Sequence, residues 1–171
     1  MRHIIRSIAA CIVFLFVFTS ISFADTKRDL ETISKTISFI KNGPKGEVTM
    51  DVLFDPANPD SVAHADGVVE LLSNGVGSRV KLTGKKVSSV NDITSRIIFV
   101  TRGVNNMYQS IIDKAAQNNG VTISTDENCL GNGCVVVVKT LPSVDIFVSI
   151  DAAEKTGTEF ATAFSMMITK K

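Results

Sequence analysis

Strand-type runs and helix-type stripes alternate along this chain, and that order restricts its fold more than any motif does. Leu30, Ile33, Ile37 and Ile40 recur at steps of three and four, a helical face that Asn42-Gly43-Pro44 ends. Val48-Thr-Met50-Asp-Val52-Leu-Phe54 then alternates as a strand does, and Leu53 gives its second face apolar character, as in a strand covered on both sides. Asp55-Pro-Ala-Asn-Pro-Asp-Ser61 is turn chemistry. Ser61 is expected to cap a second helix that carries Val62, Ala65, Val69 and Leu72 and closes at Asn74-Gly75. The stretch from Arg79 to Val90 alternates around Val80, Leu82 and Val87, with Gly84 between, and predicts one strand.

The second half repeats the order. Arg96–Thr101 has the composition of a buried strand, and Thr101-Arg102-Gly103 leads into a helix with Met107, Ile111, Ile112 and Ala115, ended by Asn118-Asn119-Gly120. Val121–Thr125 is the next strand. Val135–Thr140 and Val144–Ile150 flank Leu141-Pro142-Ser143 and predict an antiparallel hairpin. Asp151 and Glu154 then make a capping-box start for a last helix with Phe160, Phe164, Met167 and Ile168 on one face. Strands alternating with helices require a mostly parallel sheet with right-handed crossovers. The expected fold class is therefore α/β: three layers, α/β/α, a mostly parallel sheet, and a C-terminal antiparallel hairpin followed by a helix.

The N-terminus is of a different kind. A basic stretch, Met1 to Arg6, precedes an apolar run from Ile8 to Phe18, and Ser22-Phe23-Ala24 places small residues at −3 and −1 of a cleavage site before Asp25. The run is shorter than the roughly 20 residues a membrane span needs. Ile8-Ala-Ala-Cys11 resembles a lipoprotein box, but the apolar run follows Cys11, so cleavage there leaves no hydrophobic region ahead of it. The expected organisation is a cleaved signal peptide, residues 1–24, and a single α/β domain, residues 25–171, in the periplasm or secreted. Without Arg2 and Arg6 the 18 basic residues become 16 against 17 acids. Near-neutral charge with no basic run argues against nucleic acid, whose binding rests on phosphate neutralisation. Of the three cysteines, Cys11 leaves with the signal, and Cys129 and Cys134 are expected to pair as a disulfide in an oxidising compartment.

Catalytic motifs find little support. His64 is the only histidine after cleavage, Asp66 two residues on points elsewhere on a helix, and no Gly-x-Ser-x-Gly elbow offers a nucleophile. His64 is therefore expected on the helix surface, and no catalytic residue is assigned. Gly75-Val-Gly77 and Gly131-Asn-Gly133 each precede a strand, the reverse of a phosphate-binding turn, so no nucleotide cofactor is expected. One histidine and two cysteines do not make a zinc site. The loops that follow parallel strands carry the remaining signal, because α/β folds bind ligands along that edge. Asp55 and Asn58 fall in one loop, with Asp60; Arg102 and Asn105 fall in another; Asp126 falls in a third, with Glu127 and Asn128. Arg102 beside Gly103, ahead of a helix, is suited to a small anionic ligand. The same residues also compose ordinary solvated turns.

The last third adds a resemblance. Val121-Thr-Ile-Ser-Thr-Asp126, a glycine-bearing loop, Cys134–Val138, a turn and Phe147–Phe160, with Val148-Ser-Ile150-Asp151-Ala152-Ala153 and Gly157, resemble the end of the YfiR-like periplasmic proteins. That resemblance implies a regulator that binds the periplasmic part of a membrane-embedded signalling partner, such as a diguanylate cyclase, through a redox-sensitive disulfide, and not an enzyme. This chain departs from the family in having Ile40-Lys-Asn-Gly-Pro44 and no tryptophan where the family's first helix carries aromatics and ends near Trp-Pro. A second resemblance, of Asp51–Ser61 and Thr122–Asn128, is to one lobe of the periplasmic substrate-binding proteins of ABC transporters, and implies a small ligand at the same sheet edge.

The export reading has a direct measurement. The intact mass of protein from a native periplasmic fraction is expected to begin at Asp25. A mass that includes residues 1–24, or a lipid on Cys11, contradicts it.

Overall fold

The computed structural model describes residues 27–171, so the signal-peptide segment, residues 1–24, lies outside the described residues. The chain runs α1 (Lys27–Ile37), β1 (Gly46–Leu53), α2 (Pro59–Leu72), β2 (Val80–Val87), β3 (Ile97–Val100), α3 (Tyr108–Gln117), β4 (Val121–Ser124), β5 (Val136–Lys139), β6 (Asp145–Val148), α4 (Ile150–Thr156) and β7 (Thr169–Lys170). One sheet of seven strands has the order β2-β1-β3-β4-β5-β6-β7. The pairs from β2 to β5 are parallel, and β5–β6 is the expected antiparallel hairpin. The mostly parallel α/β sheet of the sequence reading is present. No helix among the described residues is long and apolar enough to cross a membrane.

Alternation along the strands builds two cores. On β3, Ile97 and Phe99 join the cluster that holds Leu30, Ile33 and Ile37 of α1 and Ala65, Val68 and Leu72 of α2. Ile98 and Val100 join the opposite cluster with Ile111 and Ala115 of α3. β1 divides the same way, with Met50 and Val52 on the first side and Leu53 on the second. A strand buried on both faces is what an all-apolar run such as Ile97–Val100 requires.

β1 has a parallel neighbour on each side, pairing from Gly46↔Val80 to Leu53↔Val87 with β2 and from Met50↔Ile97 to Leu53↔Val100 with β3. The chain leaves β1 outward to β2 and returns to β3 on the other side. Strand order therefore reverses between β1 and β3, and such a switch point opens a crevice at the carboxyl ends of the two strands.

Three expectations need correction. Asn58, not Ser61, caps α2: its side-chain oxygen accepts from the Asp60 and Ser61 amides, with Pro59 as the first helical residue. The buried stripe of α2 is Ser61, His64, Ala65, Val68 and Leu72, so Val62 and Val69 stand to one side of it and His64 is buried rather than on the surface. The last helix is short. Ser149, not Asp151, caps it by accepting from the Ala152 amide, and Gly157 ends it at φ 65° in the left-handed region. The segment expected to continue it pairs instead with the turn after α1 through an Ile40–Phe160 bridge. Phe164 is buried with its ring 5.0 Å from Phe39 and 5.1 Å from Phe160, Met167 is exposed, and β7 adds a parallel edge strand to β6.

The link from β4 to β5 carries no α-helix although the two strands are parallel. Its turn at Glu127–Cys129 and the Cys129–Cys134 disulfide, with Cα atoms 5.2 Å apart, fill the place a crossover helix would take. Both sulfurs sit in the apolar cluster beneath α3. By the chain-entropy estimate a bridge over so short a loop contributes about 2 kcal/mol.

Asp51 is the one carboxylate in the middle of β1, fully buried, and its Oδ2 accepts from the Thr94 and Ser95 amides at 2.7 and 2.8 Å. It holds the turn that starts β3. Asp51→Ala leaves both amides without their charged acceptor and is expected to cost roughly 2–3 kcal/mol. Urea unfolding of the variant reads this as a lower midpoint at unchanged slope. A midpoint equal to the unsubstituted protein contradicts the assignment.

Candidate functional site

The five residues singled out from the sequence occupy three consecutive loops at the carboxyl ends of β1, β3 and β4. Asp55 and Asn58 lie between β1 and α2, Arg102 and Asn105 between β3 and α3, and Asp126 after β4. The first two loops meet at the switch point.

A polar relay fixes that meeting. The Asp55 amide donates to Ser61 Oγ at 2.9 Å, Ser61 Oγ lies 2.7 Å from Thr101 Oγ1, and Thr101 Oγ1 donates to the Leu53 carbonyl at 2.9 Å. The Thr101 proton is spent on Leu53, so Ser61 is the donor in the middle bond. Asn58 adds a second tie through Nδ2 to the Gly103 carbonyl at 3.3 Å. His64 makes a third: Nδ1 accepts from the Arg102 amide at 3.0 Å and from Arg102 Nε at 3.4 Å. With Nδ1 an acceptor, the neutral ring carries its proton on Nε2. Phe99 stands edge-on to the ring at 5.6 Å, which fixes its plane.

The third loop acts on Tyr108 by charge. Its hydroxyl donates to Asn105 Oδ1 at 2.9 Å. Burial first, and then the negative charge of Asp126, push the phenol up to about 12. Asp126 itself accepts from the amide and the side chain of Asn128 at 3.1 and 3.0 Å, while its own amide donates to Ser124 Oγ. Glu127 pairs with Lys139 at the end of β5, and that hydrogen bond and charge hold its carboxyl below the usual range.

Arg102 and Asn58 are thus tied across the switch point, through His64 and the Gly103 carbonyl, while Asn105 is bonded to Tyr108, on whose phenol Asp126 acts by its charge. The Asp55 carboxylate turns back on its own loop and accepts from the Ala57 amide at 2.9 Å. Sequence reasoning missed His64, Ser61, Thr101 and Tyr108. His64 was legible in one respect, since it stands at helical spacing with Ser61, Ala65, Val68 and Leu72 on the buried face.

Two open cavities lie away from this edge. One of about 500 Å³ is lined by Arg96, Asn119 and Glu159 among others, at the opposite ends of β3 and β4. One of about 680 Å³ lies between α1 and the Gly75–Arg79 loop. We assign the edge rather than either cavity as the candidate site because the topology and the polar relay converge there.

No protein-family model and no curated protein sequence matches the chain. Solved structures do match it in fold. The ligand-free, open structure of CD0873, a substrate binding protein with adhesive properties from Clostridium difficile, aligns with a TM-score of 0.57 at 15% identity, over 87% of this chain and 61% of that one. The ABC domain in complex with L-Trp from Streptococcus pneumonia aligns with a TM-score of 0.55 at 9% identity, over 84% of this chain and 60% of that one. A conserved domain protein from Vibrio cholerae O1 biovar El Tor gives 0.52 at 14% identity, over 84% and 59%. This chain spans about three fifths of the length of each of these structures. The likeness is one of fold; one of the three is described as a substrate binding protein, and none of the three descriptions names a YfiR-like protein.

Proposed function

We propose that this chain is an exported, non-enzymatic binding domain that holds a small ligand bearing a carboxylate or similar anionic group at the carboxyl edge of β1, β3 and β4. One observation carries the proposal: Arg102 is held in place by His64 at the point where strand order reverses. A guanidinium is a planar fork suited to a carboxylate, and a preset side chain loses less freedom on binding. Asn105 and Tyr108 add polar groups from the same β3–α3 connection, and Asp126, on the loop after β4, offers a negative charge suited to an amine on the same ligand. The fold likeness to a substrate binding protein and to a domain complexed with L-Trp supports this reading.

The signalling-regulator reading, with a membrane protein's periplasmic domain as partner, has less to stand on. It required a redox-sensitive loop, and Cys129 and Cys134 are 1% and 0% exposed. A disulfide so shielded is poorly open to attack by a thiolate, because exchange needs access to sulfur.

Isothermal titration with small carboxylates and amino acids, L-tryptophan among them, tests the ligand proposal. A compound that saturates the protein below about 1 mM is expected, and Arg102→Ala is expected to weaken it at least about tenfold, the loss of one charge-assisted bond. Unchanged affinity in that variant contradicts the assignment, as does the absence of any such compound. Tyr108, the chain's single tyrosine, reports on the same edge by its ultraviolet absorbance. It is expected to be half ionised near pH 12 rather than 10. Because the folded protein holds this proton more tightly than the unfolded chain, the associated stability is present below pH 10 and lost as pH rises toward 12. Half ionisation at pH 10 contradicts the burial.

A further inference from the structure

The cavity between α1 and the loop that enters β2 has the make-up of a second site. Its volume is about 680 Å³, within the range of small-molecule pockets. Along one wall run Lys27, Glu31 and Lys35 at steps of four on α1, and Arg79 stands on the other. Three cations face one acid, and among the described residues none of Lys27, Lys35 and Arg79 forms an ion pair. Phe39 and Val76 add an apolar portion to the lining.

The loop itself supplies an independent observation. Gly77, Ser78 and Arg79 are three successive residues of the lining, and their amide N–H groups donate to no other described residue. Gly77 has φ +101°, and a Cβ there would lie 1.9 Å from Ser34 Oγ and 2.4 Å from the Val80 carbonyl. The loop is thus pressed against α1 by the Ser34 hydroxyl, which donates to that carbonyl at 2.5 Å. Successive amides free of protein partners, in a turn that includes a positive-φ residue, are able to form an anion-binding concavity. The smaller cavity lacks this: Arg96 is spent on the carbonyls of Asn119 and Asn42, and Lys41 on Glu159.

We infer that this groove binds a small phosphate-type dianion with an apolar substituent. The phosphate sits against the Gly77–Arg79 amides, Lys35 and Arg79, and the substituent lies toward Phe39 and Val76. The site opens beside the start of β2, at the other end of the strands from Arg102, and is independent of the ligand proposed there.

Phenyl phosphate, inorganic phosphate and benzyl alcohol, each titrated into the exported chain and followed by amide chemical shifts, test the inference. Phenyl phosphate is expected to bind saturably, with shifts confined to the Lys27–Phe39 and Gly75–Val80 segments. Inorganic phosphate is expected to bind more weakly at the same place, and benzyl alcohol not at all. Lys35→Gln with Arg79→Gln, both exposed, is expected to weaken phenyl phosphate at least about tenfold at an unchanged melting temperature. Arg102→Ala is expected to leave it unaltered, which separates this site from the sheet edge. No binding of phenyl phosphate below about 10 mM overturns the inference. So does equal binding of benzyl alcohol, full affinity in the double variant, or shifts centred on Arg102 and Asn105.

Discussion

The contact between Ser61 and Thr101 governs what the sheet edge can be. It is a buried hydroxyl pair 2.7 Å apart, linked on one side to the Asp55 amide and on the other to the Leu53 carbonyl. It ties the loops after β1 and β3 together just past the last paired residues, Leu53 and Val100. Buried polar groups of this kind are costly unless each is satisfied, and here each is. The relay therefore fixes the spacing of the two loops, and Asn58 and His64 are then able to reach Gly103 and Arg102. Replacing Ser61 by a residue of similar size without a hydroxyl would strand the Asp55 amide and one acceptor lone pair of Thr101.

The second constraint is burial on both faces of the sheet. α1 and α2 cover one face, and on the other α3 covers β3 and β4 while the loop after β4 has no helix to contribute. The disulfide supplies apolar bulk there at low conformational cost, with Cys129 and Cys134 packed among Val100, Ile111 and Val137. That placement explains why two cysteines five residues apart serve structure. A bond in the middle of an apolar cluster fills space whether or not it is ever challenged by a reductant.

Legibility followed how local the deciding interaction was. The strand and helix order was readable because period two and period three to four survive without any tertiary contact. The edge residues were readable because turn chemistry and strand ends coincide in sequence. The burial of His64 was not, since a histidine on a helix is equally at home on either face, and only Arg102, thirty-eight residues on, decides the matter. Ser61 reads as a cap because it opens an apolar run, whereas Asn58 precedes Pro59 and reaches the first amides. The last helix failed for a like reason. Its stripe of Phe160, Phe164, Met167 and Ile168 has helical spacing, but Gly157 turns left-handed and Phe39 and Ile40 draw Phe160 and Phe164 into a different partnership.

The two proposed sites differ in physical kind, and the difference bears on how each would respond to its surroundings. At the edge, Arg102 is anchored to a buried imidazole and its neighbours are held by bonds under 3.5 Å, so a ligand there meets a preset array in a partly dry setting. In the groove, Lys27 and Arg79 are exposed on flexible stems, and the fixed element is the backbone of the Gly77–Arg79 turn. Attraction between exposed charges is largely screened beyond about 8 Å at physiological ionic strength, whereas direct hydrogen bonds from the turn's amides would be screened less. Recognition in the proposed groove would therefore depend on the turn for its position and on the lysines mainly for its rate. Selectivity at the proposed edge site would depend on Arg102 and on the polar relay that sets the loops beneath it.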